Sequence, residues 1–590
     1  MNHSLIPVFR LVLILICVFA AFGVVGTRLY LLHVVKQPEL RARIDSARLD
    51  TRTIPARRGA IRDSRGNLLA ITRELYTVGV DPVAAARQPP EPARLMELAR
   101  QLNVPRATVA NAFETDDGRV RWRKLAGGVT PEGYDAIRAL GIRGVYGNRV
   151  LTRTYPAGHK GAHLVGFVNR EGTPVTGAER RFDYYLRGQD GFRVSERDGD
   201  RRELAQFRLR EVAVEDGMDV VLTVDPMVQH LVEREVADVV QAFSPDAVSV
   251  IVSDPATGAV LALANYPTFD PNTFWDFPVD SHRNRALMDL FEPGSTFKIV
   301  PAAAALEEAL VRPEDRFPTG YSVVEYKGRR VKLPGDHKPY GELSVRDIVI
   351  KSSNRGAAWL GMLLGKQRLH RYAEAFGFGN PTGIDLDGEQ AGILAQPADW
   401  DGLTITRLPM GHAVAATPLQ VHAAMGVLAN GGVFVEPRVA ERVHDAEGRP
   451  VLAFDPVEPR RVVSGRTALL LTEMLAEVAA PGGTAPQAAL DGFRVAGKTG
   501  TTQKIINGRY SHRHHVASFS GYFPAEDPRF LITIVVDEPQ GDHVGYGGLV
   551  AAPAFRSIAE GMIRYYGLEP GETGPVPTLA MEGGPYDRSR

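Results

Sequence analysis

A serine followed three residues later by a lysine, Ser295-Thr296-Phe297-Lys298, could do covalent chemistry in this 590-residue sequence. A serine hydroxyl is a poor nucleophile until a base removes its proton. Glu292-Pro293-Gly294 breaks the chain just before it, so a helix can begin at Ser295. Positions i and i+3 share a helix face, which puts Lys298 beside Ser295. A neutral lysine can be the base once burial or nearby cations depress its pKa. Phe297, Ile299, Val300 and the apolar run 302–306 would supply that burial. The free N–H groups of a helix start also stabilise negative charge. Pro301 removes one helical hydrogen bond and is expected to kink the helix.

Two further short patterns follow in order. Ser352-Ser353-Asn354 would set a hydroxyl and an amide at a bend. The hydroxyl of Ser352 can relay protons to an amine, and the amide of Asn354 can hold a carbonyl. Ser and Asn are also ordinary turn and cap residues, so this pattern gains weight only from its company. Lys498-Thr499-Gly500 reads as an edge-like strand, with Gly497 and Gly500 permitting close backbone approach by a ligand. Lys498 offers a cation, and Thr499 and Thr501 offer hydroxyls, which suits a carboxylate. An extended peptide can pair with such a strand. The backbone N–H groups of Ser295 and Thr501 are candidate donors to a tetrahedral oxyanion. Each pattern occurs once in the chain, and the three together in this order form a strong signal.

The elements that must position these residues can be read around them. Residues 219–224 read as a strand, and Asp225-Pro226 starts a helix with Val228, Leu231, Val232, Val236, Val239 and Val240 at helical spacing. The runs 247–252 and 259–264 flank the turn Asp254-Pro255-Ala256-Thr257-Gly258 and form an antiparallel hairpin. Strands are expected at 493–497, 517–523 and 530–536, a final helix at 551–566, and helical material between. Antiparallel strands at both ends with helices between them predict an α/β sandwich, the helices covering the sheet. Residues 59–215 alternate short strand-like runs with Gly and Pro breaks and show no catalytic constellation, so a structural or docking module is expected there. The last twenty residues are Gly- and Pro-rich and read as a loose tail.

Composition narrows the class. Lys plus Arg and Asp plus Glu both number 69, which argues against a nucleic-acid binder. The single cysteine, Cys17, excludes an intrachain disulfide and leaves the compartment open. Residues 11–27 are uncharged and almost entirely apolar between Arg10 and Arg28. Extended back to Val8, the run reaches the roughly 20 residues a membrane helix needs. No clear small-x-small cleavage site follows, and Leu29-Tyr30-Leu31-Leu32 continues the apolar character, so an uncleaved anchor is expected rather than a signal peptide. Flanking charge does not fix its orientation. Residues 41–58 are polar and Arg-rich, and a helical or extended stalk is expected there.

At the three motifs the sequence resembles the penicillin-recognising serine transferases, and within them the class B penicillin-binding proteins. The resemblance extends to Arg58-Gly59-Ala60-Ile61-Arg62-Asp63, Gly66 and Leu69-Ala70. It continues through Arg153, Tyr155-Pro156, Gly158 and His163-Leu164-Val165-Gly166-Phe167-Val168. Gly177, Glu179, Leu186 and Gly188 follow, then Thr417-Pro418-Leu419-Gln420, Asn430-Gly431-Gly432 and Tyr546-Gly547-Gly548. Gly166-Phe167-Val168, Gly521-Tyr522-Phe523-Pro524 and the length resemble the division-specific (septal) type, similar to penicillin-binding protein 3. The elongation-specific type stays open.

The resemblance implies a penicillin-binding transpeptidase fold, with an antiparallel five-stranded sheet covered by helices. This fold would stand on a β-rich, elongated pedestal behind one transmembrane helix. The implied division is a cytoplasmic tail at 1–8, an anchor at 9–32, a pedestal or dimerisation-like domain at 33–215, a transpeptidase domain at 216–570 and a flexible tail at 571–590. The implied activity is a peptidoglycan D,D-transpeptidase on the extracytoplasmic side of the inner membrane, with a possible carboxypeptidase side activity. Ser295, Lys298, Ser352, Asn354 and Lys498 would be catalytic, and Thr499, Gly500 and Thr501 substrate-binding. No metal, nucleotide or other cofactor is implied. The partners would be stem peptides ending in D-Ala-D-Ala, an acceptor amine, β-lactams, the membrane, a polytopic glycan polymerase and other division proteins, and no nucleic acid. A β-lactamase would need a base for deacylating water, and none is evident. A β-lactam sensor would be expected to carry a signalling region. His512, His514 and His515 could ligate zinc by spacing, but no Cys or carboxylate partner stands suitably beside them. A solvated hairpin loop near the cleft is the expected reading.

Overall fold

The computed structural model describes residues 8–41, 49–114, 119–197, 203–506, 508–541 and 546–570. The expected tail at 571–590 lies outside them. The chain divides into two compact units.

The first unit comprises residues 1–57 and 187–217. Its N-terminal helix, Val8–Tyr30, runs on through Leu31–Val35, and together they make a 28-residue span of mean hydropathy 2.8. Among the described residues it is the one helix long and apolar enough to cross a membrane. None of its side chains is buried. The same unit holds a three-stranded antiparallel sheet in which Gly191–Arg197 lies between Leu49–Ile54 and Glu203–Val212. Carboxylates pin its chain entry and exit: Asp190 accepts from Ala56 N at 2.7 Å and Asp216 from Arg57 N at 2.8 Å.

The second unit comprises residues 58–186 and 218–590. In its N-terminal part, Leu68–Val80 pairs with both Arg123–Val129 and Val145–Thr154. The expected strand at 219–224 is four residues long, Asp219–Leu222. It runs parallel to Ile61–Arg62 and antiparallel to Ala440–His444. Glu179 is fully buried and bridges Arg58 and Arg153, each at 2.6 Å.

The larger part is built around one sheet. Helix α1 (Pro226–Phe243) opens on Asp225, whose carboxylate accepts from Met227 N and Val228 N, with Pro226 at the first helical position. Strands β1 (Ala247–Ser253) and β2 (Val260–Tyr266) form the expected hairpin. Helices α2 (Ile299–Glu307), α3 (Asn354–Ala375), α4 (Pro418–Ala429) and α5 (Gly465–Ala479) follow. The chain then returns as β3 (Ala496–Ile506), β4 (Arg509–Phe523) and β5 (Phe530–Asp537), and ends on α6 (Gly547–Tyr566). The order across the sheet is β2-β1-β5-β4-β3, antiparallel throughout, as expected for a five-stranded sandwich.

Side-chain alternation along β4 assigns the two faces. Phe519 and Phe523 pack on Phe555 of α6. Tyr522, on the opposite face, reaches Thr472 of α5 at 2.7 Å. That second face also buries a polar chain. His422 of α4 bonds Ser253 at 2.7 Å and Thr533 at 2.9 Å, and Ser520 bonds Thr533 at 2.7 Å. Burial pushes His422 down to about 3, so it is neutral.

Several further boundaries differ from the sequence reading. β3 covers Ala496–Ile506 rather than 493–497, because its ladder with β4 carries the Gly and Thr residues that lack an apolar alternation. Helix α6 begins at Gly547, four residues earlier than the sequence pattern. A Cβ at Gly547 would lie 2.1 Å from Ser518 O and 2.4 Å from Gly500 O, so glycine is required where helix propensity disfavours it. His512, His514 and His515 stand within β4 rather than in a hairpin loop.

Candidate active site

Ser295 lies in a single 3₁₀ turn, Gly294–Lys298, that leads directly into α2. The helix expected to start at Ser295 is therefore α-helical only from Ile299. This places Pro301 in the first turn, where its missing N–H costs nothing. Phe297 anchors the turn against Phe378, with ring centroids 4.8 Å apart, and Thr296 closes it by donating to Pro293 O at 2.7 Å. Two glycines let other segments approach. Gly294 N donates to Gly411 O at 3.1 Å, and a Cβ on Gly411 (φ 82°) would meet Gly294 O at 2.0 Å. A Cβ on Gly500 would come 2.2 Å from Ser518 Oγ and 3.2 Å from Pro293 O. The Ser295 turn thus sits directly against the Lys498-Thr499-Gly500 strand, which is the edge of the sheet.

Ser352 occupies the bend between the helix Val345–Ile350 and α3, at φ 56°. The left-handed region is uncommon for serine and costs of order 1–3 kcal/mol unless its surroundings enforce it. The enforcement comes from Asp336. Its carboxylate accepts from Ser353 Oγ at 2.9 Å, Asn354 N at 2.5 Å and Arg355 N at 3.2 Å, at the positive end of α3. Ser353 caps the same helix by accepting from Gly356 N.

The side chains converge from there. Lys298 Nζ donates to Ser352 O at 2.5 Å, Ser352 Oγ at 3.2 Å and Asn354 Oδ1 at 2.6 Å. Lys498 Nζ donates to Ser352 Oγ at 2.8 Å and Thr499 O at 3.3 Å. Asn354 Nδ2 donates to Gly335 O at 2.7 Å. Among the described residues the Ser295 hydroxyl has no hydrogen-bond partner. Lys298 shares its side of the turn but spends its donors on the Ser352 bend. Thr499 Oγ1 lies 3.2 Å from Thr484 Oγ1, and Thr501 Oγ1 accepts from Gly547 N at 3.2 Å.

Both lysines are buried. Burial first, and the neighbouring Lys498 ammonium second, hold Lys298 well below its ordinary value, with Asp336 opposing. Burial brings Lys498 down to about 7. A lysine with a depressed pKa is a competent proton acceptor at neutral pH.

Ser295, Ser352, Asn354, Thr499 and Thr501 line one cleft of about 730 Å³, together with His337, His412, His512, Arg513, His515 and Tyr546. Sequence reading missed Asp336, His337 and Gly411. Asp336 and His337 follow Leu333-Pro334-Gly335, a turn signature that names no partner. Gly411 carried no motif, and only its packing against Gly294 reveals its place. Glu292, three residues before the nucleophile, accepts from Ala413 N at 3.0 Å and Tyr510 OH at 3.1 Å and lies 3.1 Å from His412 Nδ1. These contacts tie the loop 411–413 and the start of β4 to the nucleophile turn.

A serine on a short turn before a helix, two buried lysines and an open edge strand define a serine acyl-transfer site. Two family models match the chain: the penicillin-binding protein transpeptidase domain over residues 248–560, and the penicillin-binding protein dimerisation domain over residues 53–222. The chain belongs to the penicillin-binding protein transpeptidases, as a class B member similar to penicillin-binding protein 3. It is 30% identical to the peptidoglycan D,D-transpeptidase FtsI of Escherichia coli, over 96% of this chain and 94% of that one. It is 32% identical to the stage V sporulation protein D of Bacillus subtilis, over 95% and 86%. The crystal structure of penicillin-binding protein 3 from Mycobacterium tuberculosis with aztreonam superposes with a TM-score of 0.68 at 28% identity, covering 89% of this chain and 99% of that one. The chain is accordingly a serine-type peptidoglycan D,D-transpeptidase.

Proposed function

We propose that this transpeptidase cross-links stem peptides at the division septum through an acyl-enzyme on Ser295. The Ser295 oxygen attacks the carbonyl carbon of the penultimate D-Ala. The bond to the terminal D-Ala nitrogen breaks, and the serine proton leaves on that amine. An amine of a neighbouring stem then attacks the ester, the new amide forms, and the proton lost by the amine returns to Ser295. Lys298 receives and returns the proton. Ser352, held between the two lysines, relays it to the amine, and Asn354 orients the donor backbone. Lys498, Thr499 and Thr501 hold the terminal carboxylate of a donor that lies along the edge of β3, where Gly500 admits it. The N–H groups of Ser295 and Thr501 receive the oxyanion. β-Lactams acylate the same serine.

The observation that carries this reading is the convergence of both lysine amines on the Ser352 hydroxyl, in the cleft that Ser295 lines. The septal assignment rests on likeness to FtsI; an elongation role is the alternative. The proposed organisation is a single-pass inner-membrane anchor at 9–32, a pedestal at 33–215 and a transpeptidase domain at 216–570 on the extracytoplasmic side. A polytopic glycan polymerase and division proteins are the proposed partners. Labelling with fluorescent penicillin tests the nucleophile: a stable covalent band in wild type and none in Ser295→Ala is expected. Rapid nitrocefin turnover in place of a stable band would point to a β-lactamase instead.

A further inference from the structure

Near the turn from β3 the polar side chains of β4 do not follow simple alternation, because a register shift falls between Gln503 and Ile505. On the side away from the cleft, His514 bonds Ser511 at 2.7 Å and lies 3.9 Å from Glu538, and the neighbouring Lys504 is paired with Asp537 and Glu538 at 3.1 and 2.8 Å. On the cleft side stand His512, Arg513 and His515. Gln503 of β3 lies opposite His515 in register and 3.1 Å from His512 Nδ1. Among the described residues no carboxylate lines the cleft and none pairs with Arg513. The other permanent cation of the lining, Lys351, already has Asp347 at 2.9 Å. An Arg guanidinium is charged at every relevant pH and shaped to receive a carboxylate. This one faces the cleft with no carboxylate to bind among the described residues.

The placement says which part of a ligand would meet it. In the reading above, on which this inference rests, the donor's terminal carboxylate sits by Lys498, Thr499 and Thr501, and its reacting carbonyl at Ser295. The residue preceding the D-Ala pair then continues along the open edge of β3, past Thr501 toward Gln503. There the hairpin brings up His512, Arg513 and His515.

We infer that Gln503, His512, Arg513 and His515 form a subsite for a side-chain carboxylate on the donor residue that precedes the D-Ala pair. The enzyme therefore prefers stem peptides acidic at that position to ones neutral there. Gln503 and the two imidazoles orient the group, and Arg513 supplies the charge.

The test is protection of Ser295 from fluorescent penicillin in the full-length, detergent-solubilised chain. The protecting probes are two synthetic pentapeptides ending in D-Ala-D-Ala. Both carry diaminopimelate at the third position, one with its side-chain carboxylate free and the other with it converted to the primary amide. Wild type is expected to be protected about tenfold better by the acid. The ratio should collapse to below twofold in Arg513→Ala and partly recover in Arg513→Lys. Because each variant is compared with itself, a change in its labelling rate does not affect the ratio. Equal protection by the two peptides in wild type, protection by neither, or a ratio that survives in Arg513→Ala overturns the subsite. Labelling that persists in Ser295→Ala overturns the underlying reading instead.

Discussion

Lys498 Nζ donates to Ser352 Oγ at 2.8 Å, although 146 residues separate the two in sequence. This bond links the edge strand to the bend before α3, and Lys298 reaches the same oxygen from the nucleophile turn. Removing that hydroxyl in Ser352→Ala takes away the common acceptor of two buried amines. The acylation rate of Ser295 by fluorescent penicillin is expected to fall about 100-fold, the lower range for loss of a general acid–base group. A rate within threefold of wild type would exclude a relay through Ser352.

The two lysines are asked for opposite charge states. In the proposed mechanism Lys298 is neutral to accept a proton, whereas Lys498 is charged to hold a carboxylate. Acylation by a carboxylate-bearing penicillin should rise with pH as Lys298 loses its proton, then decline above about pH 7 as Lys498 loses its own. The limbs belong to the coupled pair. Lys498→Arg keeps a fixed charge and should flatten the alkaline limb. A wild-type rate that climbs steadily to pH 10 would show that charge on Lys498 is not required.

Asp336 holds the Ser352 bend from outside the recognised motifs. Asp336→Ala leaves Asn354 N and Arg355 N without their acceptor and releases the left-handed serine. The expected cost is about 1–3 kcal/mol of local stability, seen as faster hydrogen exchange at the start of α3. An acylation rate reduced at least tenfold should accompany it, with the remaining amides unaffected.

Two buried histidines make the fold acid-sensitive. His422 is pushed down to about 3 and His163 to about 4, in both cases chiefly by burial, against 6.5 for an exposed imidazole. Below about pH 6.5 the unfolded chain takes up protons that the native state does not. Stability is therefore fully present above that pH and declines as pH falls toward 4. The slope should approach, and not exceed, about 1.4 kcal/mol per pH unit for each histidine. Denaturant titrations from pH 7 to 4 should show it, and His422→Gln should roughly halve the slope.

Glu179, fully buried, pairs with both Arg58 and Arg153, and Asp183 pairs with Arg58 as well. Glu179→Ala leaves Arg153 without its carboxylate partner and Arg58 with only Asp183, and should destabilise by about 3–5 kcal/mol, the usual cost of breaking a buried pair. A melting temperature within a degree of wild type would sink this expectation.

The three motifs that converge on the cleft were legible because each is short, local and rich in chemistry. The hairpin of β1 and β2 and the start of α1 were legible for a similar reason: their turn and cap residues lie beside them in sequence. What escaped was long-range or glycine-dependent. Nothing near Asp336 announces a helix eighteen residues onward as its target. Gly547 reads as a helix breaker, yet it begins α6 because two carbonyls leave no room for a Cβ. Lys298 was expected against Ser295 from helical spacing, whereas its donors go to Ser352 and Asn354, which no local periodicity can reveal.

The outer side of β3 has a further consequence. An enzyme that takes its substrate as a guest strand must keep one row of backbone groups uncovered, and such a row will also accept a second copy of the chain. Here the edge strand spans Ala496–Ile506. Lys504 stands near its end, and a register shift between Gln503 and Ile505 interrupts its ladder with β4. Each of these features impairs pairing with another long, flat strand while leaving room for a short peptide. On the proposed reading, the edge that admits substrate is also one that a second chain could pair with, and the irregularity of β3 works against that pairing.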